Sequence, residues 1–195
     1  MNISEIISSA LLFLVLMDPF GNLPVFVSML GGKNKKEYRD IILRESCFAL
    51  AAMIATFLTG SFIMEKLGIT SSRLGLAGGL ILLLMGIRMV FYTLNPQTDS
   101  ENVKEPYIVP LAIPLICGPG LIAVLVTVQQ NVLETLLALA CAWCGQLLIL
   151  LCGKKIASIL GNKALDALES LMGLLLTGIS IGMILDNLKL EFAGF

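Results

Sequence analysis

Histidine is absent from the 195 residues, and charge is scarce: Asp, Glu, Lys and Arg together make up 14%. Without an imidazole there can be no His-ligated metal site, histidine proton relay or Ser–His–Asp triad. Thirteen basic residues against fourteen acidic ones leave a net charge of −1, so no basic surface for nucleic acid is expected. The five cysteines (Cys47, Cys117, Cys141, Cys144 and Cys152) all lie in apolar stretches, which argues against a secreted disulfide framework. Met1 to Ala10 lacks Lys, Arg and a small-residue cleavage site, so it reads as a first membrane segment rather than a cleaved signal peptide.

Apolar residues are abundant. They make up 57% of the chain, and mean hydropathy is +0.92. Soluble domains carry about 25% charged and about 45–50% apolar residues. A water-soluble particle of this size has too much surface to hide the excess. Six apolar stretches, 3–30, 41–64, 72–94, 106–129, 133–153 and 164–188, each match the roughly 20 residues needed to cross a bilayer. The expected class is therefore an all-α, polytopic membrane protein of about six transmembrane helices. The polar stretch 95–105 reads as a flexible loop, and no connection is long enough for a separate soluble domain.

Orientation follows from the basic residues. Lys33, Lys35, Lys36, Arg39, Arg44, Arg88, Lys104, Lys154, Lys155 and Lys163 fall on one side, and only Lys66, Arg73 and Lys189 on the other. Both termini are then expected outside a cell inner membrane, with the basic loops cytoplasmic. That parity requires the first segment to cross rather than dip in and return.

A shift of 95 residues brings Pro19 and Pro24 onto Pro114 and Pro119, and Leu76, Gly78 and Leu80 onto Leu171, Gly173 and Leu175. One ungapped offset serves segments one and four and also segments three and six. The halves 1–95 and 96–195 are thus expected to be repeats of three helices each. An odd span count forces the second copy to be inverted, a recurrent construction of transporters.

Segments one and four also carry helix breakers. Segment one contains Asp18-Pro-Phe-Gly-Asn-Leu-Pro24, and as one straight helix its 28 residues would run about 42 Å. Pro19, Gly21 and Pro24 oppose a continuous helix, and Asp followed by Pro is a helix-start pattern. Segment four carries Pro106, Pro110 and Pro114, then Gly118-Pro119-Gly120 before an apolar run. Broken backbone cannot face lipid, so it lies inside protein or beside a wet cavity. Half-helix N-termini there suit a carboxylate or another anion. A carboxylate at the depth expected of Asp18 costs about 2.5–3.5 kcal/mol and needs a cation, a proton or a hydrogen-bond network to offset it. Asn22, four residues on, can share a face with it. An ordinary proline kink with Asp18 as a pure N-cap is the bland alternative.

Other polar residues have ordinary explanations beside functional ones. Arg44, Glu45, Arg88 and Glu169 lie near the expected cytoplasmic interface, as snorkelling anchors or as gate residues. Thr127, Gln129 and Gln146 could line a polar path or simply bond between helices. Gly75-x3-Gly79 and Gly178-x3-Gly182 read as packing devices, and Cys141-x2-Cys144 resembles a redox pair only in spacing.

At Asp18-Pro-Phe-Gly-Asn-Leu-Pro24, Ile108-Val-Pro-Leu-Ala-Ile-Pro114 with Gly118-Pro119, and Ala167-Leu-Glu169-Ser-Leu-Met-Gly173, the sequence resembles the MarC family of inner-membrane proteins. The resemblance spans essentially the whole chain. It implies a six-helix fold grouped with small neutral amino acid transporters and, remotely, with lysine-exporter-like folds. It also implies that Asp18, Asn22, Pro24, Arg44, Glu45, Pro114, Gly118, Pro119 and Glu169 are the family-type positions. Two departures are Ser170, where such proteins often carry Arg, and small or apolar residues around Gly182, where they carry a glutamine.

The leading expectation is a secondary transporter of small neutral amino acids or similar zwitterions, coupled to a proton or sodium. Asp18, Pro19, Gly21, Asn22, Pro24, Pro114, Gly118, Pro119 and Gly120 would form the substrate and ion site. Arg44, Glu45, Thr127, Gln146 and Glu169 are candidates for a gate or polar path. A non-transporting membrane scaffold or assembly factor is the alternative, and it requires both breaks to be tightly packed. No catalytic residues, metal or other cofactor are expected; the partners are the lipid bilayer, a small-molecule substrate and a possible second copy of the chain.

Overall fold

Segment one breaks where its prolines stand, yet it still runs on across the bundle. In the computed structural model, which describes residues 3–30, 32–92, 117–128 and 131–193, helix α1 (Ile3–Met17) ends at Asp18 and α2 (Pro19–Leu30) begins one residue later. Asp18 has φ 46°, a left-handed backbone that turns the chain between the two helices. Both lie along α6 (Val132–Leu151) in its own direction, with Leu14 against Gly145 and then Leu23 and Val27 against Gly153. The first segment therefore crosses rather than returning to the side it came from.

Helix α3 (Lys35–Leu67) starts six residues before the expected 41 and runs 33 residues, about 50 Å. The reason is its cap: the Asn34 side chain accepts from the N–H groups of Lys36 and Glu37, so the helix begins in the exposed polar loop. Gly68, at φ 66°, ends it in the left-handed conformation. Helix α4 (Ser71–Tyr92) follows, then α5 (Pro119–Thr127), opened by Gly118 with proline in its first turn. The N-terminal part of segment four, including Pro114, lies outside the described residues, as do the loop 95–105 and Gln129.

Helix α7 (Gly153–Ala193) is longer than the expected 164–188, and Gly161 interrupts it with φ 73° and ψ 165°. That conformation is open only to glycine. A short piece, 153–160, thus precedes the main span. Among the described residues, five helical stretches are long and apolar enough to cross a bilayer, with segment one counted once across its break. The chain is all-α and polytopic, as expected.

The helices of segments one and four pack across the two halves of the sequence. Helices α1 and α2 contact α6 and α7, while α5 contacts α3 and α4. Helices α4 and α7 form an extended antiparallel seam, where Gly75 meets Asn187, Gly79 meets Ile184, and Gly86 meets Gly173 and Thr177. Small residues let these backbones approach. Gly178 and Gly182, by contrast, face open space. Among the described residues nothing packs on them, because α4 covers the opposite face of α7.

Charged groups gather at the two ends of the bundle. At one, Lys154 Nζ donates to the Lys33 carbonyl at 2.7 Å and sits 4.9 Å over the Tyr38 ring. At the other, Arg73 Nε pairs with Glu191 Oε1 at 3.0 Å. Phe62, Leu84, Leu148 and Leu174 are more than half exposed on the outside, as hydrocarbon-facing side chains are.

Candidate functional site

The break in segment one closes its own hydrogen bonds. Asp18 Oδ1 accepts from the Gly21 N–H at 3.0 Å and so caps α2, while the Asn22 amide donates to the Met17 carbonyl at 2.9 Å and ends α1. The Asn22 N–H reaches the Asp18 carbonyl at 3.1 Å. Asp18 and Asn22 thus do share one turn, and between them they satisfy the groups that two helix ends would leave bare. Gly21 is required here, since a Cβ would collide with the Asp18 carboxylate and with Met89.

This turn is not packed solid. Beside it lies a cavity of about 330 Å³ lined by Asp18, Gly21 and Asn22 from segment one, Arg88 from α4, Gly118 from segment four and Glu169 from α7. Leu16, Met17, Val25, Leu82, Met85, Met89 and Leu176 supply apolar walls. A site of this size falls in the range of small-molecule pockets, at about 300–1,000 Å³, with a few polar groups set in an apolar lining. Two carboxylates, Asp18 and Glu169, and one guanidinium, Arg88, line it together. Both signs of charge therefore converge on one small space.

The two helix starts differ. Asp18 already occupies the N-terminus of α2, whereas the residue that opens α5, Gly118, has no side chain to cap it and borders the cavity. Gly120 fits closely under Leu82. Pro19 opens α2 and Pro24 lies within it, and neither is among the residues that line the cavity.

The gate candidates separate. Glu169 lines the cavity. Arg44 and Glu45 instead pair with each other on α3, with Nη2 to Oε1 at 2.9 Å, and Arg44 borders a surface hollow with Lys33, Glu37 and Asp40. The Thr127 hydroxyl donates to the Ala123 carbonyl of its own helix at 2.9 Å. Gln146 is buried on α6, away from the cavity. Arg88, whose place near the interface suits an anchor or a gate, lines the cavity. Its position four residues before the end of α4 concealed this, and only the Gly86–Gly173 approach, which brings α4 onto Glu169, reveals it.

The model of the MarC family of integral membrane proteins matches residues 3–192. The chain belongs to the MarC family. It is 37% identical over 196 residues to the inner membrane protein YhgN (UPF0056) of Escherichia coli K12, covering 98% of this chain and 100% of the relative. A membrane protein of Buchnera aphidicola from Schizaphis graminum is 36% identical, covering 97% and 98% of the two chains. The archaeal membrane protein MJ1677 of Methanocaldococcus jannaschii is 29% identical, covering 89% and 91%. No solved structure gives a significant match. This MarC chain is accordingly a multi-pass membrane protein, similar in length to its relatives.

Proposed function

We propose that the chain is a secondary transporter of small neutral amino acids or similar zwitterions in the cell inner membrane, coupled to a proton or sodium. The observation that carries this reading is the 330 Å³ cavity at the helix break, where Asp18, Glu169 and Arg88 face apolar walls. A zwitterion presents one charge of each sign, and a neutral side chain suits the Leu and Met lining. The Arg88 guanidinium, aided by the uncapped start of α5, would hold the substrate carboxylate. Asp18 and Glu169 would hold its ammonium group.

This differs from the sequence expectation in one respect. Asp18 caps α2 itself, so the carboxylate is assigned to Arg88 and α5 rather than to both half-helix starts. Two inverted halves rocking about the cavity remain part of the proposal. Its support is that α1 and α2 pack on α6 and α7 while α5 packs on α3 and α4. The basic end of the bundle is proposed to face the cytoplasm, with both termini outside. A scaffold would fill its breaks with side chains, so the cavity favours transport.

Gradient-driven uptake of neutral amino acids into proteoliposomes tests the proposal. Uptake should be lost in Asp18→Asn and in Arg88→Gln, while both proteins fold. Absence of uptake of any amino acid by the unmodified protein, under proton and sodium gradients alike, would refute it.

A further inference from the structure

The contact between α3 and α6 holds polar side chains that neither the cavity nor ordinary packing explains. Glu45 is 0% exposed, and Ser46 and Gln146 are 1% exposed. Arg44 donates twice to Glu45 Oε1. Among the described residues, Glu45 Oε2, Ser46 Oγ and both amide atoms of Gln146 have no hydrogen-bond partner. Buried polar atoms are nearly always paired, with protein, water or an ion. Four unpaired ones in a single contact call for a ligand.

The register of the two helices sets these residues within about one helical turn of one another. The Tyr38 hydroxyl donates to the Leu150 carbonyl at 2.9 Å, and Trp143 Nε1 donates to the Ser46 carbonyl at 2.8 Å. Gln146 lies between those two cross-links, three residues after Trp143 and four before Leu150, and so on the same helix face. Glu45 and Ser46 share the buried stripe of α3 with Tyr38, Ile42 and Ala49. Antiparallel pairing set by the cross-links puts Gln146 opposite Ile42, within one helical turn of Glu45. Thr135, also buried and unpartnered, is eleven residues from Gln146, about 16 Å along α6, and belongs elsewhere.

We propose that Glu45 Oε2, Ser46 Oγ and Gln146 Oε1 form a binding site for a sodium-sized monovalent cation. Carboxylate, hydroxyl and amide oxygens are hard donors, suited to alkali and alkaline-earth ions rather than to soft metals. Arg44 already offsets the Glu45 charge, so a single positive charge is favoured over two. A role as coupling ion rests on the transport reading above; the binding itself does not.

Thermal unfolding of the purified full chain in detergent tests this, with sodium chloride compared against choline chloride at equal ionic strength. At sodium about ten times its dissociation constant, the wild-type Tm should rise by about 4 °C. Glu45→Gln and Gln146→Leu should each lose that rise, and the second remains folded because leucine replaces the unpaired amide with apolar volume. No sodium response in the wild type, or an equal response in Gln146→Leu, would overturn the site, since either result leaves water as the occupant. L-Alanine and L-leucine added in choline report the other site separately. Loss of their stabilising effect alone counts against the transport reading, and loss of the sodium effect alone counts against this one.

Discussion

Adding one methyl group at the α4–α7 seam should separate the two helices, whereas the same change two turns further along α7 should not. A Cβ on Gly86 would lie 2.7 Å from the Gly173 carbonyl oxygen, about 0.7 Å inside ordinary contact, and a Cβ on Gly173 would lie 2.8 Å from the Gly86 carbonyl oxygen. Both obstacles are backbone, which cannot rotate away. Overpacking costs about 1–3 kcal/mol, and alanine returns about 0.5–1 kcal/mol through helix propensity. The middle of those ranges leaves a net loss of about 1.3 kcal/mol, or about 3–5 °C in Tm for a chain of this size. The seam also carries Met85, Arg88, Met89, Glu169 and Leu176 of the cavity lining, so Gly86→Ala should weaken uptake as well. Gly178 and Gly182 face open space on the same helix, and their alanine variants should keep or slightly raise Tm. Thermal unfolding of the four variants decides the matter. Equal Tm for Gly86→Ala and Gly182→Ala would refute the close-approach reasoning.

Four further outcomes rest on other contacts. Gly21→Ala should abolish uptake while the protein still inserts and folds, because its Cβ displaces the Asp18 carboxylate; wild-type uptake would contradict the geometry of the turn. Asn22→Ala removes the bond to the Met17 carbonyl and should cost about 1–3 kcal/mol, read as a lowered Tm. Arg73→Ala breaks an exposed pair with Glu191 and should leave Tm unchanged, whereas Tyr38→Phe, which frees the buried Leu150 carbonyl, should lower it.

Much of the architecture could be read without coordinates, because a bilayer imposes simple rules on length and polarity. Five of the six apolar stretches contain spanning helices close to their expected limits, and the Asp18-Pro19 pair marks the break at the residue where it occurs. What escaped was governed by contacts distant in sequence. Sequence position left Arg88 open between anchor and gate, and it is the glycine seam that sets α4 against Glu169. Gly178 and Gly182 have the spacing of a packing motif, but spacing cannot tell which face of α7 its neighbour covers. The early start of α3 hung on the Asn34 cap, a local signal that lay outside the apolar run used to place the segment.

Cysteine labelling can test the cavity itself. With the five native cysteines replaced, Met85→Cys in proteoliposomes should react with a small, charged, membrane-impermeant thiol reagent, and a neutral amino acid should slow that reaction. No labelling of Met85→Cys, or labelling that no amino acid slows, would contradict a water-filled site that takes zwitterions.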